Sequence, residues 1–212
     1  MLEIYNERIF DLLNPEQVNK LDNLVQGLRL RWNKTDQFVV ENLFTYETQN
    51  ADEAVSFFQL GIRNKVIAMH KLNNSSSRSH CIFELKVESY NNAHPSDVLS
   101  SKLVFVDLAG SERLGITGTE GRLAKESIDI NKSLFTLRQV IMTIAESEGG
   151  RDVHIPYRES KLTSLLKQSF GGNSYCLMVC FCYFSIHCIL IGMCRLHVSR
   201  QTMTILKKTF RR

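Results

Sequence analysis

Asn73-Asn74-Ser75-Ser76-Ser77-Arg78-Ser79-His80 and Asp107-Leu108-Ala109-Gly110-Ser111-Glu112 are the two phrases that decide how this chain folds. The second comes directly after the apolar run Leu103-Val104-Phe105-Val106, which reads as a buried strand. A buried strand that ends in Asp and turns through Gly offers a carboxylate to Mg²⁺ and a backbone N–H to a terminal phosphate, as a nucleoside triphosphate site requires. A Ser-rich loop beside it supplies hydroxyls to the same metal and phosphate. Arg78 and Glu112, one in each phrase, carry the charges to close the loops by an ion pair. Taken singly, each phrase has a plainer reading: a Ser-rich turn, and an Asp that ends a strand. Together they specify a site.

Periodicity outward from these phrases gives an α/β pattern. Residues 81–88 alternate Ile82, Glu84, Lys86, Glu88 against Phe83, Leu85, Val87, and pair naturally with residues 99–106. Residues 2–13 read as a strand and turn closed by Asn14-Pro15, and short strands are expected at 28–32 and 38–40. Residues 51–68 read as an amphipathic helix with Ala54, Phe57, Phe58 and Ile62 on one face. A long helix begins near Glu120, with Ile130, Leu134, Leu137, Ile141 and Ile144 spaced three or four apart.

In family order and spacing, the two phrases resemble the nucleotide-sensing switches of the kinesin motor domain. Residues 2–13, LEIYNERIFDLL, resemble the strand and turn after that family's first nucleotide-binding helix. Ile130-Asn131-Lys132-Ser133-Leu134 is similar to the start of its microtubule-facing helix. His154-Ile155-Pro156-Tyr157-Arg158-Glu159-Ser160-Lys161-Leu162-Thr163 and Gly171-Gly172-Asn173-Ser174 are similar to the loop, helix and turn that come after that helix. The resemblance covers residues 2 to about 179 and implies a P-loop NTPase-like kinesin motor fold. That fold has a mixed central β-sheet flanked by helices, here incomplete at the N-terminus.

The resemblance also implies roles. Asn73, Ser76 and Ser77 would lie against ATP and its Mg²⁺, with Ser77 and Asp107 the metal-side residues and Asp107 acting through water. Gly110 would donate its N–H to the γ-phosphate, and Arg78 and Glu112 would form the closing ion pair. Microtubule contact is expected from Arg113, Arg122 and Lys125, then His154, Tyr157, Arg158 and Lys161. Lys65 and His70 depart from the family, where Arg and Thr are usual; for His70 a solvent-facing substitution is the preferred reading. The expected activity is that of a microtubule-stimulated ATPase moving along microtubules in the cytoplasm and cytoskeleton. The alternatives are a non-catalytic microtubule-binding fragment, or a truncated product of a faulty gene model without ATPase activity.

The ends carry further expectations. No G-x-x-x-x-G-K-[ST] phosphate loop occurs in the 212 residues; Gly110 to Thr117 comes nearest, with Ile116 in place of Lys. These residues alone are therefore expected to bind ATP weakly and turn it over negligibly. Residues 1–179 read as a partial motor domain and 180–212 as a divergent apolar, Cys-rich, then basic tail, with no coiled coil for dimerisation. All 22 acidic residues lie in 1–159, against 18 basic ones, whereas 160–212 hold eight basic residues and none acidic. Since the positive charge sits in the tail without a recognised binding motif, nucleic acid is not an expected partner. Five of the six cysteines fall between Cys176 and Cys194, yet no Cys-x-x-Cys pair occurs and His187 and His197 complete no zinc spacing, so no structural zinc is expected. The N-terminus lacks a secretory pattern, and reduced cytoplasmic thiols are expected. Residues 175–194 carry no charge before Arg195 and have the length of a membrane-spanning helix. A buried strand at its start is the preferred reading over a membrane anchor.

Overall fold

The computed structural model describes residues 1–14, 27–35, 37–72, 78–90, 98–110, 122–147, 153–171, 174–184, 188–197 and 204–206. They fall into two compact units, Met1–Arg31 with Val40–Leu134, and Trp32–Val39 with Phe135–Arg212. The expected boundary at residue 179 falls inside a strand, Tyr175–Phe184.

The first unit is built on a four-stranded sheet. Its strands are β1 (Leu2–Tyr5), β2 (Arg8–Asp11), β5 (His80–Tyr90) and β6 (Val98–Asp107), in the order β2-β1-β5-β6. Within the described residues, all of its ladders are antiparallel. β1 and β2 join through Asn6 and Glu7, whose φ of 49° and 54° put both in the left-handed region that a two-residue hairpin turn needs. Leu2, Glu3 and Ile4 are all buried, so β1 is covered on both faces. Met1, Leu12, Leu13 and Cys81 form a buried cluster against which Phe57 and Phe83 pack.

Asp11, the last residue of β2, anchors the chain on its C-terminal side. Its buried carboxylate accepts the Leu13 N–H at 2.9 Å and the Phe44 N–H at 2.7 Å, fixing two distant stretches of backbone on one side chain. The helix α1 (Ala51–Leu72) starts in a capping box: Asn50 Oδ1 accepts the Glu53 N–H at 2.9 Å, and Glu53 reaches back to accept the Gln49 N–H at 2.8 Å. Its buried stripe differs from the expected one. Ala54, Phe57, Asn64, Gly61 and Lys65 turn inward, whereas Phe58 and Ile62 are each 39% exposed. Gly61 packs against the Met1 side chain, which would have to shift to admit a Cβ there. Asn64 Nδ2 donates to the Leu12 carbonyl at 2.6 Å and fixes the helix to the hairpin.

The helix α2 (Arg122–Ser147) continues from the first unit into the second, with Ser133, Thr136, Leu137 and Val140 buried at helical spacing. The short strands β3 (Leu30–Trp32) and β4 (Phe38–Val40) pair as a hairpin. In the second unit a 3₁₀ turn (Tyr157–Glu159) leads into α3 (Lys161–Leu165) and α4 (Lys167–Gly171). Ser160 caps α3 by accepting the Thr163 N–H at 3.1 Å. The Thr163 and Ser164 hydroxyls both donate to the Tyr157 carbonyl at 2.9 Å, and Leu162, Leu166 and Phe170 fill the core below. Strands β7 (Tyr175–Phe184), β8 (Cys188–His197) and β9 (Thr204–Leu206) form an antiparallel sheet in that order. The apolar run from residue 175 is thus strand rather than helix, and among the described residues no helix is long and apolar enough to cross a membrane.

Asp11→Ala should strand two backbone N–H groups and destabilise the chain by about 3 kcal/mol, with Asp11→Asn costing roughly half. Urea unfolding of the three proteins measures this; equal stability of Asp11→Ala and the parent would remove Asp11 from this anchoring role.

Candidate functional site

The β5–β6 ladder brings the two sequence phrases to one end of the sheet. Its register sets Cys81 opposite Asp107, so the Ser-rich loop enters the ladder where the Asp-Leu-Ala-Gly phrase leaves it. One residue before that pair, His80 is only 3% exposed. The Ala109 N–H donates to its Nδ1 at 2.9 Å, and its Nε2 lies 2.7 Å from the Ser133 hydroxyl on α2. Because a backbone N–H can only donate, Nδ1 must be the unprotonated nitrogen and Nε2 the protonated one, donating to Ser133. His80 is held neutral: burial, helped by nearby Lys65 and opposed by Asp107, pushes its pKa down to about 4. One imidazole therefore ties the first phrase, the second phrase and the long helix together.

Asp107, the last residue of β6, points outward. Lys65 Nζ donates to its Oδ2 at 3.4 Å, yet the Lys65 side chain is 9% exposed and that of Asp107 79%. The ammonium is the fixed partner of this pair and the carboxylate the accessible one. Beneath them Glu3 is buried, and loss of hydration raises its pKa against the pull of Lys65. Burial likewise pushes the Cys81 thiol up to about 11, which makes it a packing residue rather than a nucleophile. Gly110 follows buried Ala109 and is half-buried.

Of the expected nucleotide residues, Asp107 and Gly110 are thus at one strand end, and half-buried Arg78 lies in the turn entering β5. Asn73, Ser76, Ser77, Glu112 and Arg113 lie outside the described residues, as does the Arg78–Glu112 ion pair. An exposed carboxylate followed three residues on by a half-buried glycine suits a metal-bound phosphate. Among the described residues no group of three or more His, Cys, Asp or Glu gathers to hold a metal, so a Mg²⁺ beside Asp107 would rest on phosphate oxygens and hydroxyls as well.

The expected partner-facing residues separate differently. Arg122 and Lys125 occupy the first turn of α2. In the second unit His154 and Arg158 are exposed and Lys161 is half-exposed. Tyr157 is buried, with its phenol pKa raised by lost hydration, and its carbonyl organises α3. The sequence pattern did not point to Ser133 or to the bridging role of His80; their only signal was membership of the phrases 130–134 and 73–80.

The family model described as the kinesin motor domain matches residues 1–202, past the end of the resemblance expected from sequence. The chain belongs to the kinesin motor domain family. It is 41% identical over 179 residues to kinesin-like protein KIN-12E of Arabidopsis thaliana, covering 84% of this chain and 14% of that protein. Against kinesin-like protein KIF9 of Mus musculus the identity is also 41%, over 84% of this chain and 22% of the relative. Among solved structures, a fast kinesin superposes with a TM-score of 0.67 at 36% identity, covering 82% of this chain and 46% of that one. KIF14 residues 391–755, with ADP in complex with a microtubule, gives 0.66 at 36% identity, covering 82% of this chain and 49% of that one. This kinesin-family chain therefore spans less than a quarter of these two curated relatives and about half of the solved motor chains.

The neutral histidine has a measurable consequence. Folded, His80 takes a proton only near pH 4, whereas the unfolded chain takes one near the ordinary 6.5, so falling pH favours unfolding between those values. The stability of the parent relative to His80→Asn should decline as pH drops from 7 to 4, by up to about 3 kcal/mol. Taking the difference cancels the opposite slope that Glu3 contributes to both proteins. Denaturant unfolding at stepped pH checks this, and a pH-independent difference would contradict the buried neutral imidazole.

Proposed function

We propose that this chain is the switch-bearing portion of an ATP-driven microtubule motor working in the cytoplasm on the microtubule cytoskeleton. The observation that carries the reading is the His80 bridge, which joins Ala109 of the phosphate-facing phrase to Ser133 of the long helix. Asp107 would face the Mg²⁺ of ATP through water, beside the hydroxyls of Ser76 and Ser77, with Asn73 at the same loop. The Gly110 N–H would meet the γ-phosphate, and Arg78 and Glu112 would pair when the loops close. The metal supplies charge neutralisation at the transferred phosphoryl group when bound. Loop closure moves Ala109, His80 moves with it, and α2 carries the displacement toward the partner surface. Arg113, Arg122 and Lys125 of the first unit would meet acidic tubulin, and so would His154, Arg158 and Lys161, near Tyr157, of the second. The structure of KIF14 in complex with a microtubule, at 36% identity, supports that partner.

The 212 residues contain no phosphate loop of the G-x-x-x-x-G-K-[ST] type, so by themselves they should hydrolyse ATP slowly. The alternative, nucleotide-independent microtubule binding without turnover, is the less favoured reading, and pelleting and turnover assays separate the two. The purified chain should pellet with microtubules, weaken as salt rises, and lose affinity severalfold in Arg158→Gln. Saturable ATP turnover above about 1 s⁻¹ would refute the slow-hydrolysis reading. Failure to pellet at any salt would remove the microtubule reading of these residues.

A further inference from the structure

The β7–β8 hairpin of the second unit carries residues that the switch chemistry does not use. Its antiparallel register sets Cys176 opposite Leu196, Met178 opposite Cys194, Cys180 opposite Gly192, Cys182 opposite Leu190 and Phe184 opposite Cys188. Residues alternate between the faces of a strand, and directly opposite residues share a face. All five of these cysteines therefore fall on one face of the hairpin, and none of the ten residues of that face is charged. Exposure along the start of β7 follows the same alternation. Tyr175, Leu177 and Val179 are exposed, whereas Cys176 and Met178 are half-buried. Burial raises the Cys176 thiol pKa, as the drier of two faces requires.

No cysteine in this register stands directly opposite another. Cross-strand cysteines are diagonal neighbours at best, with Cα atoms about 7–8 Å apart, which is beyond the span of an unstrained disulfide. Two sulfurs on one metal ion stand about 4 Å apart rather than about 2 Å, so a metal bridge suits an offset that a disulfide does not. One block of four positions stands out. Met178 and Cys180 adjoin on β7, and Cys194 and Gly192 adjoin on β8. Cys194 is directly opposite Met178 and diagonal to Cys180, so three sulfur-bearing residues are mutual neighbours. Gly192 takes the fourth corner without a side chain, as where a ligand approaches a strand closely. The linear spacing of the cysteines hides this block, because its members meet across the ladder rather than along the chain.

We propose that Met178, Cys180 and Cys194, set side by side across the β7–β8 ladder with Gly192 at the fourth corner, bind a soft monovalent metal ion, Cu(I). Thiolate and thioether ligands select Cu(I), whereas Mg²⁺ and Ca²⁺ need oxygen. Three sulfurs of which only two are thiolates fall short of the closed tetrahedron of a structural zinc site. Binding displaces one proton from each thiol, so two protons leave and the site carries a net charge of −1. Two other diagonals share the face. Cys176 is also diagonal to Cys194, but Leu196 stands opposite it where Cys180 has a glycine. Cys182 and Cys188 have Phe184 and Leu190 at their remaining corners and so lack a third sulfur. The site is independent of the motor reading and stands or falls without it.

The test uses the reduced 212-residue chain under nitrogen, with Cu(I) supplied in competition with bicinchoninate. The tightest site should take one Cu(I) per chain, and X-ray absorption at the copper edge should show sulfur neighbours at about 2.3 Å. Cys180→Ser and Cys194→Ser should each weaken that site at least about a hundredfold, and Met178→Leu about tenfold. Cys176→Ser, and Cys182→Ser combined with Cys188→Ser, should each change it less than about twofold. An equal concentration of Zn(II) should leave the Cu(I) in place. Oxygen or nitrogen neighbours at the copper edge, displacement by that Zn(II), or an unchanged affinity in Cys194→Ser would each overturn the site. Equal losses in Cys176→Ser and Cys180→Ser would overturn it too, since the block would then not be the ligand set. The copper-edge spectrum and the Zn(II) challenge are read on the unmutated chain, which keeps the test decisive if a variant misfolds.

Discussion

The register of the β5–β6 ladder is the constraint on which the site depends. Cys81 faces Asp107, and every pair out to Tyr90 and Val98 is set by it. A slip of one residue would turn Asp107 to the opposite face and carry the Ala109 N–H away from His80. The register is secured at this end of the sheet, where buried Cys81 and Ile82 alternate beside β1, and it loosens toward exposed Leu99. The end of the ladder that must be exact is the one packed on the core. The far end tolerates exposure because nothing is positioned there among the described residues.

From that register a set of buried polar groups gains its meaning. His80, Glu3 and Lys65 are each nearly sealed from water, which is costly for groups that carry or acquire charge. The structure resolves the cost differently for each. His80 gives up its charge and commits both nitrogens to hydrogen bonds. Lys65 runs its apolar stem inward and finds the accessible carboxylate of Asp107. Glu3 is pushed toward its neutral form by burial. A neutral imidazole with both nitrogens committed gives a stiffer link than a salt bridge, because its geometry is fixed by two directional bonds and it is insensitive to salt.

Much of this was legible in the chain. The strand alternation at 81–88 and 99–106 and the long helix both appear where the sequence pattern placed them. The α/β fold and kinesin family membership could be read from the phrases 73–80, 107–112 and 154–163, and are shown by the family match and solved relatives. The inward face of α1 was misread because periodicity seeks apolar residues. At Gly61 the inward position packs the Met1 side chain instead of carrying an apolar group of its own, and at Lys65 it holds a charge at the end of an apolar stem. An uninterrupted apolar run such as 175–194 has no period to separate strand from spanning helix, so only the family pattern at its start favoured the strand; β7 and β8 are strands. Nothing in the sequence pointed from Trp32 to the Arg158 and Lys167 charges over its ring, since that contact is made by packing across more than a hundred residues.

A neutral His80, with its proton on Nε2, joins the two phrases to the long helix. Nitrogen NMR of the imidazole in the ¹⁵N-histidine-labelled chain tests this most directly. Nδ1 should be unprotonated and Nε2 protonated, unchanged from pH 7 down to pH 5. Proton placement on Nδ1, or an imidazolium appearing near pH 6.5, would contradict it.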